Sequence, residues 1–222
     1  FNLIGSSGTD TITATGKADT FTIASSGQGN LDVLDGAGGA DSLQLSAGSH
    51  VFASDANFKN IETVLANAAG SSVNLSAQTE GFTITGGAGI DTIIGGGGVD
   101  IISGGASADI ITGGAGNDII TGGAGSDTFN VDVGSDTITD LSASDIFVVS
   151  NGATLNATIS ANYTATTDAK NDGTANLTMG TGGLTVDLTS AAGSKGFNLI
   201  GSSGTDTITA TGKADTFTIA SS

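Results

Sequence analysis

The chain has 222 residues and a formal net charge of −17, because 22 acidic side chains are offset by only five Lys. Such a charge argues against direct binding of nucleic acid, since phosphate contacts need Lys and Arg. The absence of Cys excludes disulfides and zinc–thiolate sites, and a hydrophobic content of 37% with regularly spaced aliphatic residues argues against disorder.

The first predicted elements are short strands that follow glycine-containing turns. Two nine-residue units, GSSGTDTIT and ATGKADTFT (5–22), carry Asp at the sixth place and an apolar residue at the eighth. After four further residues, GQGNLDVLD and GAGGADSLQ (27–44) repeat this pattern. Residues 1–44 are therefore interpreted as a first set of repeat units.

The four-residue insertion changes the spacing of the acidic side chains in this first set. Asp10 and Asp32 lie 22 residues apart, as do Asp19 and Asp41. We expect each pair to stack in adjacent coils if residues 23–26 bulge out.

Residues 45–85 lack the regular acidic place but keep strand-like alternation, and we predict solenoid coils that bind no metal. Within them, ASDANFKNIETVL (53–65) is compatible with a short helix capped by Asp55, or with a one-turn loop before a strand. The single His, His50, has no Ser or Cys partner in a recognisable motif, and we expect it in a surface or turn position.

The main repeat region, 86–148, consists of seven nine-residue units without a slip in phase. Gly pairs permit tight turns, and Ile, Thr, Val and Phe favour the short strand that follows. Two units per coil, each a strand and a turn, enclose a thin apolar core. Because side chains alternate along a strand, the eighth-place residues point inward: Ile93, Ile102, Ile111, Ile120, Phe129, Ile138 and Phe147.

Units two apart then stack directly, about 4.8 Å from each other. One edge carries Asp91, Asp109, Asp127 and Asp145, and the other carries Asp100, Asp118 and Asp136. Adjacent carboxylates at this spacing repel by roughly 3 kcal/mol per pair at an effective dielectric of about 20. A cation between each stacked pair reverses this, and a ligand set of carboxylate and carbonyl oxygens suits Ca²⁺. We predict calcium between the pairs Asp91–Asp109, Asp100–Asp118, Asp109–Asp127, Asp118–Asp136 and Asp127–Asp145.

Units 86–130 resemble the RTX consensus G-G-x-G-x-D-x-U-x, with one departure at Ser107, which replaces the fourth-place Gly. The resemblance implies an all-β, right-handed parallel β-roll or β-solenoid with calcium-binding Gly-rich turns. It also implies that each sixth-place Asp bridges Ca²⁺ between coils and that turn carbonyls complete the shell. Type I export in an unfolded, calcium-poor state, followed by folding outside the cell, is a further implication.

The last part of the chain repeats the first. FNLIGSSGTDTITATGKADTFTIASS occurs at 1–26 and again at 197–222, an offset of 196 residues. Residues 197–222 are therefore interpreted as the start of a further tandem repeat, and Asp206 and Asp215 are added to the predicted calcium ligands. Residues 149–196 are predicted to form a segment that covers one face, followed by a solenoid coil.

We predict a structural, calcium-stabilised tandem repeat of a secreted bacterial fibre, matrix protein or giant adhesin; the alternative is a surface-layer lattice subunit. An enzyme is not expected, because the chain has no H-E-x-x-H, no G-x-S-x-G and no phosphate loop. Outward Thr in the TIT segments could serve ice or sugar binding, although a plain strand role is favoured. Expected partners are further copies or repeats and the cell surface or matrix, with no nucleic acid. No stretch approaches 18 apolar residues, so no transmembrane segment is expected.

The seventh-place residues should face outward, and four of the seven in the main region are Ile: Ile101, Ile110, Ile119 and Ile146. Clustered exposed apolar side chains mark contact surfaces. We expect these Ile side chains to be covered, either by residues 149–180 or by a neighbouring chain.

Overall fold

The computed structural model describes residues 2–4, 9–24, 32–66 and 69–218. These residues form an all-parallel β-solenoid, which confirms the predicted all-β fold class. A short 3-10 helix, Asp55–Asn57, interrupts the strands. None of the helical structure in the described residues is long and apolar enough to cross a membrane.

One face of the solenoid is a single sheet of twelve parallel strands. In sheet order its strands are β1 (Asn2–Ile4), β3 (Thr20–Ile23), β5 (Ser42–Leu45), β8 (Thr63–Leu65), β10 (Thr83–Gly87), β12 (Ile101–Ala106), β14 (Ile119–Ala124), β16 (Ser135–Leu141), β18 (Thr154–Ile159), β21 (Thr174–Met179), β23 (Asn198–Ile200) and β25 (Thr216–Thr218). We call it the large sheet.

The strands between those of the large sheet form three further parallel sheets. The first contains β2 (Thr11–Thr13), β4 (Val33–Asp35) and β7 (Phe58–Lys59). The second contains β6 (Gly48–Val51), β9 (Ser71–Asn74), β11 (Thr92–Ile94), β13 (Ile110–Thr112), β15 (Thr128–Val131), β17 (Ile146–Val149) and β20 (Lys170–Asn171). The third contains β19 (Tyr163–Thr164), β22 (Thr185–Asp187) and β24 (Thr207–Thr209).

The register between adjacent coils follows the nine-residue units. Ile93 pairs with Ile111 and Ile102 with Ile120, so each strand of the main region aligns with the strand 18 residues later. All seven eighth-place residues are buried, as predicted. Aliphatic and Phe side chains of both faces form one continuous core.

Residues 149–180 do not cover a face, and this part of the sequence-based interpretation was wrong. They supply β18 and β21 to the large sheet, in register with β16 and with β23. Alternating burial along β18, with Leu155, Ala157 and Ile159 inward, shows that the segment is itself a set of coils. The Asn- and Thr-rich composition obscured this pattern, because the inward positions include Ala as well as larger aliphatics.

Three of the four outer Ile residues therefore have no cover within the described chain, whereas Ile146 is half-buried. Ile101, Ile110 and Ile119 expose 52%, 45% and 44% of their surface. Of the two expected covers, residues 149–180 are excluded and a neighbouring chain stays a prediction.

The solenoid passes through the repeat boundary without interruption. β21 pairs with β23 through Leu177 and Leu199, and β23 pairs with β25. Because β23 corresponds to β1, ten strands of the large sheet make up one 196-residue repeat.

Two predictions for residues 45–85 need correction. His50 is fully buried, because β6 pairs with β9 and places His50 opposite Val73, whose side chain points into the core. Its Nε2 lies 2.9 Å from the Ser46 carbonyl oxygen, and burial lowers its pKa. The helix at Asp55 is a single 3-10 turn whose N-cap residue is Ser54, so Asp55 is not its cap.

Candidate metal centre

The sixth-place Asp residues lie in two columns along the edges of the solenoid. All but Asp136, which lies within β16, immediately precede a strand, as Asp91 precedes β11 and Asp100 precedes β12. Because the strands pair in parallel and in register, the residues before them must also stack. The fold thus brings together carboxylates that are 18 residues apart in sequence.

A backbone hydrogen bond joins each predicted pair: the N–H of one Asp donates to Oδ1 of the Asp one coil later. These distances are 2.8 Å for Asp91–Asp109, 2.9 Å for Asp100–Asp118, 2.9 Å for Asp109–Asp127, 3.1 Å for Asp118–Asp136 and 3.0 Å for Asp127–Asp145. The pairs 22 residues apart have the same contact, at 2.8 Å for Asp10–Asp32 and 2.7 Å for Asp19–Asp41.

The stacking predicted for the first set is therefore present. Of the proposed bulge at 23–26, residues 25 and 26 lie outside the described residues. Near the end of the chain, Asp206 accepts from the Leu184 N–H at 3.0 Å and Asp215 from the Phe197 N–H at 2.8 Å.

The column carboxylates of the main region are buried with their charge uncompensated. Burial raises the pKa of Asp136 to about 7 and the pKa values of Asp100 and Asp127 to about 6. It also raises the pKa values of Asp91, Asp109 and Asp118. A buried carboxylate needs either a proton or a cation partner.

In six column carboxylates, one oxygen has no hydrogen-bond partner. The Oδ2 atom is buried and unpartnered in Asp41, Asp91, Asp109, Asp118, Asp127 and Asp136. Buried polar atoms in proteins are nearly always satisfied. Six such oxygens at equivalent places therefore indicate a group that binds them.

The unpartnered oxygens point to the first-place Gly of their own unit. A Cβ added to Gly86 would lie 2.7 Å from Asp91 Oδ2 and would overlap the carbonyl oxygen of Gly104 in the next coil. A Cβ on Gly104 would lie 2.5 Å from Asp109 Oδ2 and 2.8 Å from the Gly122 carbonyl oxygen. A carboxylate oxygen and a carbonyl oxygen thus converge at both of these turns, beside a residue without a side chain.

This donor set fits Ca²⁺, which binds carboxylate, carbonyl and water oxygens. In the described part of the chain, no three His, Cys, Asp or Glu side chains converge on one point. A site here would therefore take its remaining ligands from the backbone carbonyls. Such a set lacks the nitrogen and sulfur ligands that zinc sites use.

The column Asp residues divide into two classes, which the sequence interpretation did not distinguish. In some units a Ser or Thr at the second or third place satisfies Oδ2 within the unit, and in the unit of Asp100 the Gly96 N–H does so at 2.8 Å. Thr15 donates to Asp19 Oδ2 from its N–H at 2.9 Å and its hydroxyl at 2.8 Å. Ser202 and Ser142 make comparable bonds to Asp206 and Asp145. A hydroxyl at the second or third place is the sequence signal that could have separated most of these units, whereas nothing in the sequence marks Asp100.

Two Asp residues outside the sixth place also approach the columns. Asp140 accepts the N–H groups of Gly122 and Gly123 at 3.0 and 2.8 Å, and its charge contributes to the raised pKa of Asp127. Asp132 contributes in the same way to the raised pKa values of Asp118 and Asp136. Both increase the negative potential at the far end of the main region.

A family model described as the RTX calcium-binding nonapeptide repeat matches four stretches of the chain: residues 4–22, 83–111, 103–138 and 200–218. Together they make up less than half of the chain, and they include most of the column Asp residues. No curated protein and no solved structure matches the chain.

Proposed function

Because the chain carries RTX calcium-binding nonapeptide repeats, we propose that Ca²⁺ bound between its stacked Asp residues rigidifies a structural repeat. The observation that supports this is the series of buried, unpartnered Oδ2 atoms, of which those of Asp91 and Asp109 lie beside a turn carbonyl. We assign the ions to the five pairs of the main region first, and then to Asp10, Asp19, Asp32 and Asp41 with their counterparts Asp206 and Asp215.

Hydroxyls at the second or third place of the unit rank these sites. Where Ser or Thr already satisfies Oδ2, as at Asp19 and Asp145, an ion replaces an existing hydrogen bond and contributes less. Where Oδ2 is buried and unpartnered, the ion offsets the free-energy cost of burying a carboxylate oxygen that has no partner. The strongest calcium dependence is therefore proposed for the coils between Asp91 and Asp136.

We propose that tandem repeats form one continuous rod. Phe21 exposes 1% of its surface because β5 covers it, whereas the identical Phe217 exposes 53%. A further repeat after β25 would supply the coil that buries Phe217. Ten coils at about 4.8 Å each give a rise of roughly 48 Å per repeat.

A rod of this kind suits a secreted bacterial fibre, matrix protein or giant adhesin, and a surface-layer subunit is the second candidate. RTX repeats are typical of secreted proteins and of structural rather than enzymatic ones. Type I export fits the calcium requirement, because the chain would stay unfolded in the calcium-poor cytoplasm. The cell surface or extracellular matrix is the proposed place of assembly.

Limited proteolysis of a protein with two complete repeats tests the rod. In calcium we expect the boundary near residues 180–200 to resist cleavage as well as the main region does, since β21 and β23 pair directly across it. In chelator both regions should be cut. Preferential cleavage at the boundary in calcium would indicate separate domains joined by a linker, and would contradict the rod.

Self-association is supported by the outer Ile side chains. Ile101 and Ile119 are paired neighbours on the large sheet, and Ile110 lies on the second sheet. Their exposed apolar surface is worth about 25 cal/mol per Å² if it is buried. We propose that a neighbouring copy covers it, and that calcium creates this surface by ordering the coils.

Replacing Ile101, Ile110 and Ile119 together by Thr tests this contact. Thr keeps β propensity, so we expect the variant to fold in calcium but to stay monomeric at concentrations where the parent associates. Sedimentation velocity in calcium measures this, and Thr92→Ser, on the same sheet as Ile110, is the control. An unchanged association state in the triple variant would exclude this surface as the interface.

A further inference from the structure

Glu62 occupies a place in the acidic column that the nonapeptide pattern does not predict. It immediately precedes β8, as Asp41 precedes β5, and the two strands pair through Ser42 and Thr63. The Asp41 N–H donates to Glu62 Oε2 at 2.7 Å, which reproduces the bond between successive column Asp residues. The spacing is 21 residues, and Glu62 lies outside the stretches that match the family.

A second observation at this place points to a ligand. Asp41 exposes 1% of its surface and its Oδ2 has no partner. A Cβ on Gly36 would overlap both Asp41 Oδ2 and the Asn60 carbonyl oxygen. This arrangement matches the one at Gly86, where Asp91 Oδ2 and the Gly104 carbonyl oxygen converge.

Asn60 supplies the carbonyl oxygen that Gly104 supplies in the regular turn. Its φ of 51° is in the left-handed region, which Asn tolerates better than most residues. Its side-chain amide donates to Asp35 Oδ1 at 2.7 Å and fixes the turn. The Asn60 carbonyl is thereby held beside Asp41, although the segment has no Gly-Gly pair.

We propose that Asp41, Glu62 and the Asn60 carbonyl oxygen form a further divalent-cation site, which takes Ca²⁺. The inference rests on the proposed calcium binding of the Asp columns. It extends calcium binding into residues 45–85, whose coils the sequence predicts to be calcium-free. Because Glu62 is exposed, water completes the shell, and this ion should exchange more readily than those of the main region.

The matched variant is Glu62→Gln, in which the amide oxygen can still accept the Asp41 N–H while the charge is lost. Equilibrium dialysis with radioactive calcium and native mass spectrometry should each count one ion fewer than in the parent. Asp168→Asn, which neutralises an exposed carboxylate outside the columns, should leave the count unchanged. Asp109→Asn should also lower the count, by removing ions of the main region.

The outcomes separate the two proposals. An unchanged count in Glu62→Gln, together with a lowered count in Asp109→Asn, overturns the Glu62 site alone. Unchanged counts in both variants overturn the proposed function as well. Calcium anomalous scattering from crystals of the parent protein gives a check that needs no variant: a peak within about 2.6 Å of both Asp41 Oδ2 and the Asn60 carbonyl oxygen is expected. Peaks in the main region without one at Asn60 would overturn the inference.

Discussion

Removing calcium at pH 7.5 should abolish a large part of the β-sheet circular dichroism of the chain, that of the main repeat region above all, and restoring it should return the signal. Each of the five stacked pairs in the main region costs roughly 3 kcal/mol in repulsion without a cation. Burial of the carboxylates adds several kcal/mol per ion. These costs together exceed the 5–15 kcal/mol by which native domains are stable. The metal-free coils between Asp91 and Asp145 should therefore unfold.

The pH dependence of the calcium-free chain gives the mechanistic control. The pKa values of Asp100, Asp127 and Asp136 are about 6, 6 and 7 in the folded chain and about 3.9 in an unfolded one. The folded state therefore binds protons more tightly, and its stability rises as pH falls from above 7 towards about 4. In resin-treated, calcium-free buffer, part of the strand signal should return at pH 5.

Calcium reverses the direction of this pH dependence of stability, because the ion favours the ionised carboxylates and competes with protons. The midpoint of a calcium titration should consequently shift to higher concentrations as pH falls below about 7. Two results would contradict the scheme: a strand signal at pH 7.5 that survives complete calcium removal, or a calcium-free chain that loses structure on acidification to pH 5.

The main repeat region could be predicted from the sequence because one rule governs it. The nine-residue period sets the register between coils, the alternation of side chains along each strand sets the core, and the fixed Asp position sets the columns. Once the phase of the repeat is known, Ile111 is predicted to be buried and Asp109 to lie in a column. Residues 149–180 adopt the same fold without the nine-residue pattern, because the length of the coils varies and small residues such as Ala157 and Ala175 lie at inward positions. There the register is set by contacts between coils, which composition does not reveal.

The site was predictable at the level of pairs but not of individual oxygens. The spacing of Asp91 and Asp109 predicts that they stack. Which Oδ2 atoms have no partner, and that the Thr15 hydroxyl donates to Asp19 Oδ2, depend on local turn geometry. Glu62 and His50 escaped for a related reason. The register between coils places Glu62 next to Asp41 and His50 opposite Val73. No local sequence motif marks either position.

Gly95→Ala should disrupt calcium binding far more than Gly97→Ala, although both replace a Gly in the same four-residue run. The backbone of neither residue is in the left-handed region, so conformational strain does not separate them. A Cβ at Gly95 would overlap Asp100 Oδ2, which accepts the Gly96 N–H at 2.8 Å, and the Gly113 carbonyl oxygen. We place the proposed ion beside these two oxygens. A Cβ at Gly97 would meet the Gln78 carbonyl oxygen at 3.4 Å, an ordinary contact.

We expect Gly95→Ala to cost about 3 kcal/mol or more, since overpacking typically costs 1–3 kcal/mol and the displaced oxygens would also weaken the ion. Gly97→Ala should stay within about 0.5 kcal/mol of the parent, as surface substitutions do. Thermal unfolding in saturating calcium measures the loss of stability, and the midpoint of a calcium titration at pH 7.5 measures the weakening of ion binding. If both variants bind calcium and unfold like the parent, the ion does not lie in the cradle between Asp100 and Gly113. In that case the first-place glycines serve turn geometry alone, and the carboxylates of the columns must be compensated in another way.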